Sequence, residues 1–85
     1  MKQLSYTITC KEGLHARPAD AFVKYAQTLP CDILLEKGGK QADAKRLLAV
    51  MGLNVMQGEE IVLYFRGVGE SGAMSAMESY LKTHL

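Results

Sequence analysis

An α+β open-faced sandwich is the fold this chain predicts: a four-stranded, mainly antiparallel sheet with three helices on one face, in the order βαββαβα. Three observations lead to it. Apolar residues alternate with period two in separated segments, they recur at helical spacing in the segments between, and 85 residues leave room for a single core.

Leu4, Tyr6, Ile8 and Cys10 alternate with Ser5, Thr7 and Thr9, which predicts a half-buried strand over 4–10. Ala19, Phe22, Val23 and Ala26 then fall at i, i+3, i+4 and i+7, the stripe of an amphipathic helix that ends near 28–30. Pro18 suits its first turn, where a missing N–H is no loss. A second strand is expected over 31–36, followed by a Gly38-Gly39 hairpin turn and a short third strand. Leu47, Leu48, Val50 and Met51 cluster within 44–51 as a short helix closed by Gly52 and Asn54. Alternation returns over 60–66, with Ile61, Leu63 and Phe65 opposite Val62 and Tyr64. Beyond Gly67 and Gly69, the spacing of Ala73, Met77, Tyr80, Leu81 and His84 predicts a final helix.

Composition narrows the function classes. With 48% apolar and 22% charged residues, the chain is one globular domain with no low-complexity tract. A net charge of +1 supplies no general field for nucleic acid or anionic lipid, and no apolar run is long enough to insert in a membrane. Cys10 and Cys31 lack redox or metal spacing and read as small apolar side chains in a reducing cytoplasm. No metal site or cofactor is expected. Phosphate-binding Gly-rich loops, nucleophile elbows and His-Glu-x-x-His motifs are missing, which points away from an independent enzyme. The methionines fall mostly at helical-face positions and are expected in the core, with Met51 at a contact surface. His84, in the last helical turn, is assigned no function.

The chemistry concentrates in Glu12-Gly13-Leu14-His15-Ala16-Arg17-Pro18-Ala19-Asp20, where the strand pattern stops and the helix pattern starts. No Ser, Thr, Asp or Asn stands there to cap the helix, and Ala16 or Arg17 is left as the capping position. The first N–H groups are then free for water or for an arriving anion. Arg17 adds a forked cation suited to phosphate oxygens, and His15 a nucleophilic imidazole nitrogen. A phosphoryl group on His15 would be moderated by those partners without a metal. Spacing leaves the choice of ring nitrogen open. Arg17, Lys24, Lys45 and Arg46 either converge into a patch for an acidic protein face or are scattered solvated cations.

The run from Gly13 to Ala19 resembles the active-site signature of HPr, the histidine-containing phosphocarrier family of the bacterial phosphoenolpyruvate-dependent sugar phosphotransferase system. Chain length and element order agree with that family throughout. The resemblance implies that His15 accepts a phosphoryl group on Nδ1 from phosphorylated enzyme I and passes it to enzyme IIA units of sugar transporters. Arg17 would be the phosphoryl-site cation, and the N–H groups of Ala16 and Arg17 further donors. It also implies a partner surface of Leu47, Leu48 and Met51 together with Asp20 and Lys24, on a monomer. A paralogue serving a nitrogen-type regulatory relay shares the same signature. Many Gram-positive relatives carry a regulatory serine where this chain has Arg46, so that control is expected to be absent. Glu12 stands where the family often has a small polar residue and is expected to point away from the phosphate. Asn54 stands where glycine is common, and asparagine tolerates the left-handed backbone such a turn needs.

Overall fold

The computed structural model describes all residues from Met1 to Leu85. Strands β1 (Lys2–Thr7), β2 (Asp32–Lys37), β3 (Lys40–Asp43) and β4 (Glu60–Arg66) form one sheet, and helices α1 (Ala16–Gln27), α2 (Leu47–Gly52) and α3 (Glu70–His84) intervene in the order βαββαβα. The sheet order is β1-β4-β2-β3 and every pairing is antiparallel. β4 is therefore central, flanked by β1 with Leu4 opposite Leu63 and by β2 with Leu35 opposite Leu63.

Alternation decides which side chains the helices cover. Ile33, Leu35, Ala42, Ile61, Leu63 and Phe65 are buried beneath them, whereas Asp32, Leu34, Gln41 and Arg66 are exposed on the opposite face. α1 contributes Ala19, Phe22, Val23 and Ala26, the four positions of its apolar stripe, and α3 contributes Ala73, Met77 and Leu81. Phe22 and Phe65 are fully buried, each contributing about 1.5–3 kcal/mol relative to an exposed side chain. Cys31 is buried and Cys10 half-buried, both as free thiols. Tyr25 and Tyr80 stack across α1 and α3 with ring centroids 4.5 Å apart, and His84 leans on Tyr80 at 4.6 Å, a packing place for that histidine.

Several expected boundaries shift for identifiable reasons. β1 ends at Thr7 rather than at residue 10, because Thr9 and Cys10 turn their N–H groups to the carbonyl of Leu85 instead of to β4. Burial still alternates through Ile8 and Cys10, which is why the pattern overran the strand. β2 begins and ends one residue later than expected. α2 begins at Leu47 rather than at 44, because Asp43 accepts the Lys45 N–H on its carboxylate and the Arg46 N–H on its carbonyl, a turn that holds Lys45 and Arg46 off the helix. Among the methionines only Met77 is fully buried; Met1 and Met56 are exposed and Met51 and Met74 half-buried, so most are not core. No helix is long and apolar enough to cross a membrane.

Candidate functional site

Three chain segments meet at one end of the sandwich. Cys10 to Gly13 make a turn closed by the Gly13 N–H on the Cys10 carbonyl at 3.0 Å, and Leu14 then donates its N–H to the Val55 carbonyl at 2.9 Å. Gly13, at φ +66, lies against that same carbonyl with no space for a side chain. Leu14 is fully buried and anchors the segment, placing His15 at the rim immediately after it.

His15, rather than Ala16 or Arg17, is the N-cap residue of α1. It is extended (φ −132, ψ 160), its carbonyl accepts the Ala19 N–H at 3.3 Å, and its side chain caps nothing. Ala16 follows in the left-handed region at φ 49, which costs a residue with a Cβ about 1–2 kcal/mol. Neither the Ala16 nor the Arg17 N–H has an acceptor, Pro18 has no N–H, and no acidic residue occupies the first turn. The start of this twelve-residue helix is thus an open, electropositive set of donors.

The ring of His15 is half-buried, and its two nitrogens differ. Nε2 is buried without a hydrogen-bond partner, leaving Nδ1 as the nitrogen in contact with solvent. Arg17 is exposed and forms no ion pair, so its guanidinium is free to meet an anion. Glu12 is exposed and pairs with neither of them.

The remaining candidate residues separate into different settings. Asp20 and Lys24 pair with each other at 3.0 Å along α1. Lys45 is not a free patch cation: its Nζ donates to the Leu29 carbonyl at 2.8 Å, and its own carbonyl accepts from Gln27 Nε2 at 2.9 Å, tying the exit of α1 to the entry of α2. The end of α2 runs through Asn54 into Val55, which touches Leu14, so α2 lies antiparallel to α1 with its end beside His15. On α2, Leu47 and Met51 are half-buried while Leu48 is 84% exposed. Arg46 is the α2 N-cap, again with no side-chain cap.

Residues 54–59, which carry no catalytic motif, proved to be part of the site's frame. Asn54 adopts φ 52, the left-handed conformation expected of it, and the strip after it carries the Val55 acceptor for Leu14. A left-handed Asn followed four residues later by Gly58, which is also at positive φ, is the sequence signal of that turn. No group of three His, Cys, Asp or Glu residues is placed to hold a metal ion. A groove of about 480 Å³ on the uncovered sheet face, lined by Leu34, Tyr64 and Arg66 among others, takes in Lys45 but neither His15 nor Arg17.

A small open-faced α+β sandwich presenting a histidine at an uncapped helix start is the class these features define. A family model described as the PTS HPr component phosphorylation site matches residues 2–83, and the chain belongs to the HPr family of phosphocarrier proteins. It is 37% identical over 82 residues to the HPr-like protein Crh of Bacillus subtilis, covering 96% of each chain. A crystal structure of HPr from Thermoanaerobacter tengcongensis superposes with a TM-score of 0.94 at 36% identity, covering 99% of this chain and 94% of that one. A crystal structure of Bacillus subtilis Crh, described as a swapped dimer, aligns with a TM-score of 0.76 at 35% identity over 100% of this chain and 98% of that one. Dimers therefore occur among the relatives.

Proposed function

We propose that this protein is a stoichiometric phosphoryl carrier of the sugar phosphotransferase system, receiving the group from phosphorylated enzyme I on His15 Nδ1 and delivering it to enzyme IIA units. The observation that supports this most is the solvent-facing Nδ1 beside the acceptor-less N–H groups of Ala16 and Arg17. In the forward step the Nδ1 lone pair attacks phosphorus while the bond from phosphorus to the donor breaks, and the imidazole carries its proton on Nε2. Negative charge on the three equatorial oxygens is met by the helix-start donors and by the Arg17 guanidinium. All these groups are open to solvent, so the phosphoryl group is held only partly and remains transferable.

Docking falls to Leu47, Leu48 and Met51 with Asp20 and Lys24, because the end of α2 lies beside the start of α1. The carrier acts as a monomer in this reading, since one copy closes its own core and supplies every group at the site. Serine-based control at position 46 is absent, because Arg46 offers no hydroxyl. A regulatory relay, including a nitrogen-type branch, is the second reading, favoured by the 37% identity to the HPr-like protein Crh.

Incubation with enzyme I and phosphoenolpyruvate should attach one acid-labile phosphate that maps to His15, and His15→Ala should abolish it. Labelling of the His15→Ala protein would overturn the assignment. Transfer from the phosphorylated protein to sugar-specific but not nitrogen-specific IIA proteins separates the two readings.

A further inference from the structure

The Val55–Met56 peptide plane is gripped from both ends. Its carbonyl accepts the Leu14 N–H at 2.9 Å, and its N–H, belonging to Met56, donates to Glu59 Oε1 at 2.7 Å. That same carboxylate oxygen receives Lys37 Nζ at 2.8 Å, and Lys37 Nζ also donates to the Asn54 carbonyl at 2.7 Å. Lys37, at the end of β2, therefore holds the peptide preceding Val55 directly and the peptide following it through Glu59. One ion pair fixes the orientation of the two successive peptide planes from which Leu14, and so His15, is suspended.

The backbone of Glu59 closes the same turn. Its N–H donates to the Met56 carbonyl at 3.1 Å, and its carbonyl accepts the Ile8 N–H at 3.0 Å. Gln57 Nε2 adds a bond to the Thr9 carbonyl at 3.0 Å, so the strip also holds the chain that leads into the site from β1. Neither Lys37 nor Glu59 belongs to the helix start itself. Asn54 stands just past the exit of α2 in the left-handed region at φ 52, and its carbonyl is the one that Lys37 Nζ holds.

We infer that Lys37 and Glu59 are positioning residues for the phosphoryl-accepting loop, acting through the Asn54–Met56 peptides on Leu14 and thereby on the placement of the His15 ring. The inference rests on the reading of His15 as phosphoryl acceptor. A clamp of this kind acts on geometry more than on global stability, because a partly exposed ion pair contributes little to unfolding free energy while a small displacement of a reacting group slows transfer.

The experiment uses the full chain and three variants, Lys37→Met, Glu59→Gln and Lys37→Arg. Phosphorylation by enzyme I is followed kinetically, Leu14 amide hydrogen exchange by NMR, and global stability by urea unfolding. Lys37→Met and Glu59→Gln should each lower the transfer rate about fivefold at saturating enzyme I, with KM nearly unchanged, and speed Leu14 exchange, with the urea midpoint at neutral pH lowered only slightly. Lys37→Arg, which keeps a cationic donor, should recover most of the rate. A phosphorylated wild-type chain whose Met and Gln variants match it in both rate and Leu14 exchange would overturn the inference alone. A wild-type chain that takes no label on His15 would overturn the phosphocarrier reading and the inference with it.

Discussion

Gly13 and the Val55 carbonyl are in such close approach that any Cβ at position 13 would collide with backbone. The contact brings the turn after α2 against the loop before α1, and the Leu14 N–H reaches its acceptor only because position 13 carries no side chain. Gly13→Ala must move one of the two backbones and also hold an alanine at φ +66. A loss of about 1–3 kcal/mol is expected from urea unfolding, with faster exchange at the Leu14 amide.

Arg17 differs from Gly13 in being exposed and free of any ion pair, so its substitution should leave stability within about 0.5 kcal/mol. In the proposed reading its effect belongs to the transferred group. Arg17→Ala should slow His15 phosphorylation by about tenfold or more, the worth of a charge-assisted hydrogen bond to phosphate, and Arg17→Lys should fall between because an ammonium cannot reproduce the fork. Stopped-flow phosphorylation beside urea unfolding of the same proteins checks the separation.

Leu48 is 84% exposed on a helix whose neighbours Leu47 and Val50 turn inward. In the proposed reading this exposed apolar side chain belongs to the surface that docks partners. Leu48→Asp should leave the unfolding midpoint essentially unchanged and raise KM for enzyme I several-fold, without altering the rate at saturation. A parallel fall in stability would instead place Leu48 among the core residues.

How far the sequence carried the fold depends on which forces act locally. The bounds of β4 and the start of α3 are as expected, because alternation between Glu60 and Arg66 and the glycines at 67 and 69 are local signals. The Gly38-Gly39 turn also follows, both residues having positive φ. The end of β1 was displaced by a remote partner, the Leu85 carbonyl for Thr9 and Cys10, and the start of α2 by a local side-chain turn that competes with the helix, Asp43 accepting the Lys45 N–H two residues on. At the site, the sequence located His15 and Arg17 at an uncapped helix start, whereas the burial of His15 Nε2, the left-handed Ala16 and the Lys37–Glu59 ion pair arise only from packing across segments.

Two carboxylates make stability depend on acid pH. Glu59 is held below its ordinary value of 4.5, first by the hydrogen bond from Lys37 and then by that from the Met56 N–H. Glu70 is lowered by the hydrogen bond from the amino terminus and then by that from the Gly67 N–H. A group whose pKa is depressed on folding stabilises the fold above its unfolded pKa, and that contribution drains away as pH falls through the lowered folded value. The urea midpoint should therefore decline below about pH 4.5, and Glu59→Gln or Glu70→Gln should each flatten part of that decline. Unchanged slopes in both variants would assign the acid sensitivity to other carboxylates.

Arg46 occupies the N-cap of α2 in an extended conformation, φ −122 and ψ 114, and its side chain leaves the first N–H groups of the helix uncapped. A cation at that end is also opposed by the helix dipole. Serine suits the same backbone and can accept one of the free N–H groups on its hydroxyl, so Arg46→Ser should stabilise the protein by about 0.5–2 kcal/mol. Aspartate should do at least as well, because it adds favourable charge at the helix start. Urea unfolding of the wild type, Arg46→Ser and Arg46→Ala distinguishes the cap from simple removal of the cation: a gain shared equally by alanine assigns the effect to charge, and a gain confined to serine assigns it to the hydroxyl. Serine also restores the group that position 46 lacks for phosphorylation, and phosphate added there would bring negative charge to the start of α2 and a further gain in midpoint.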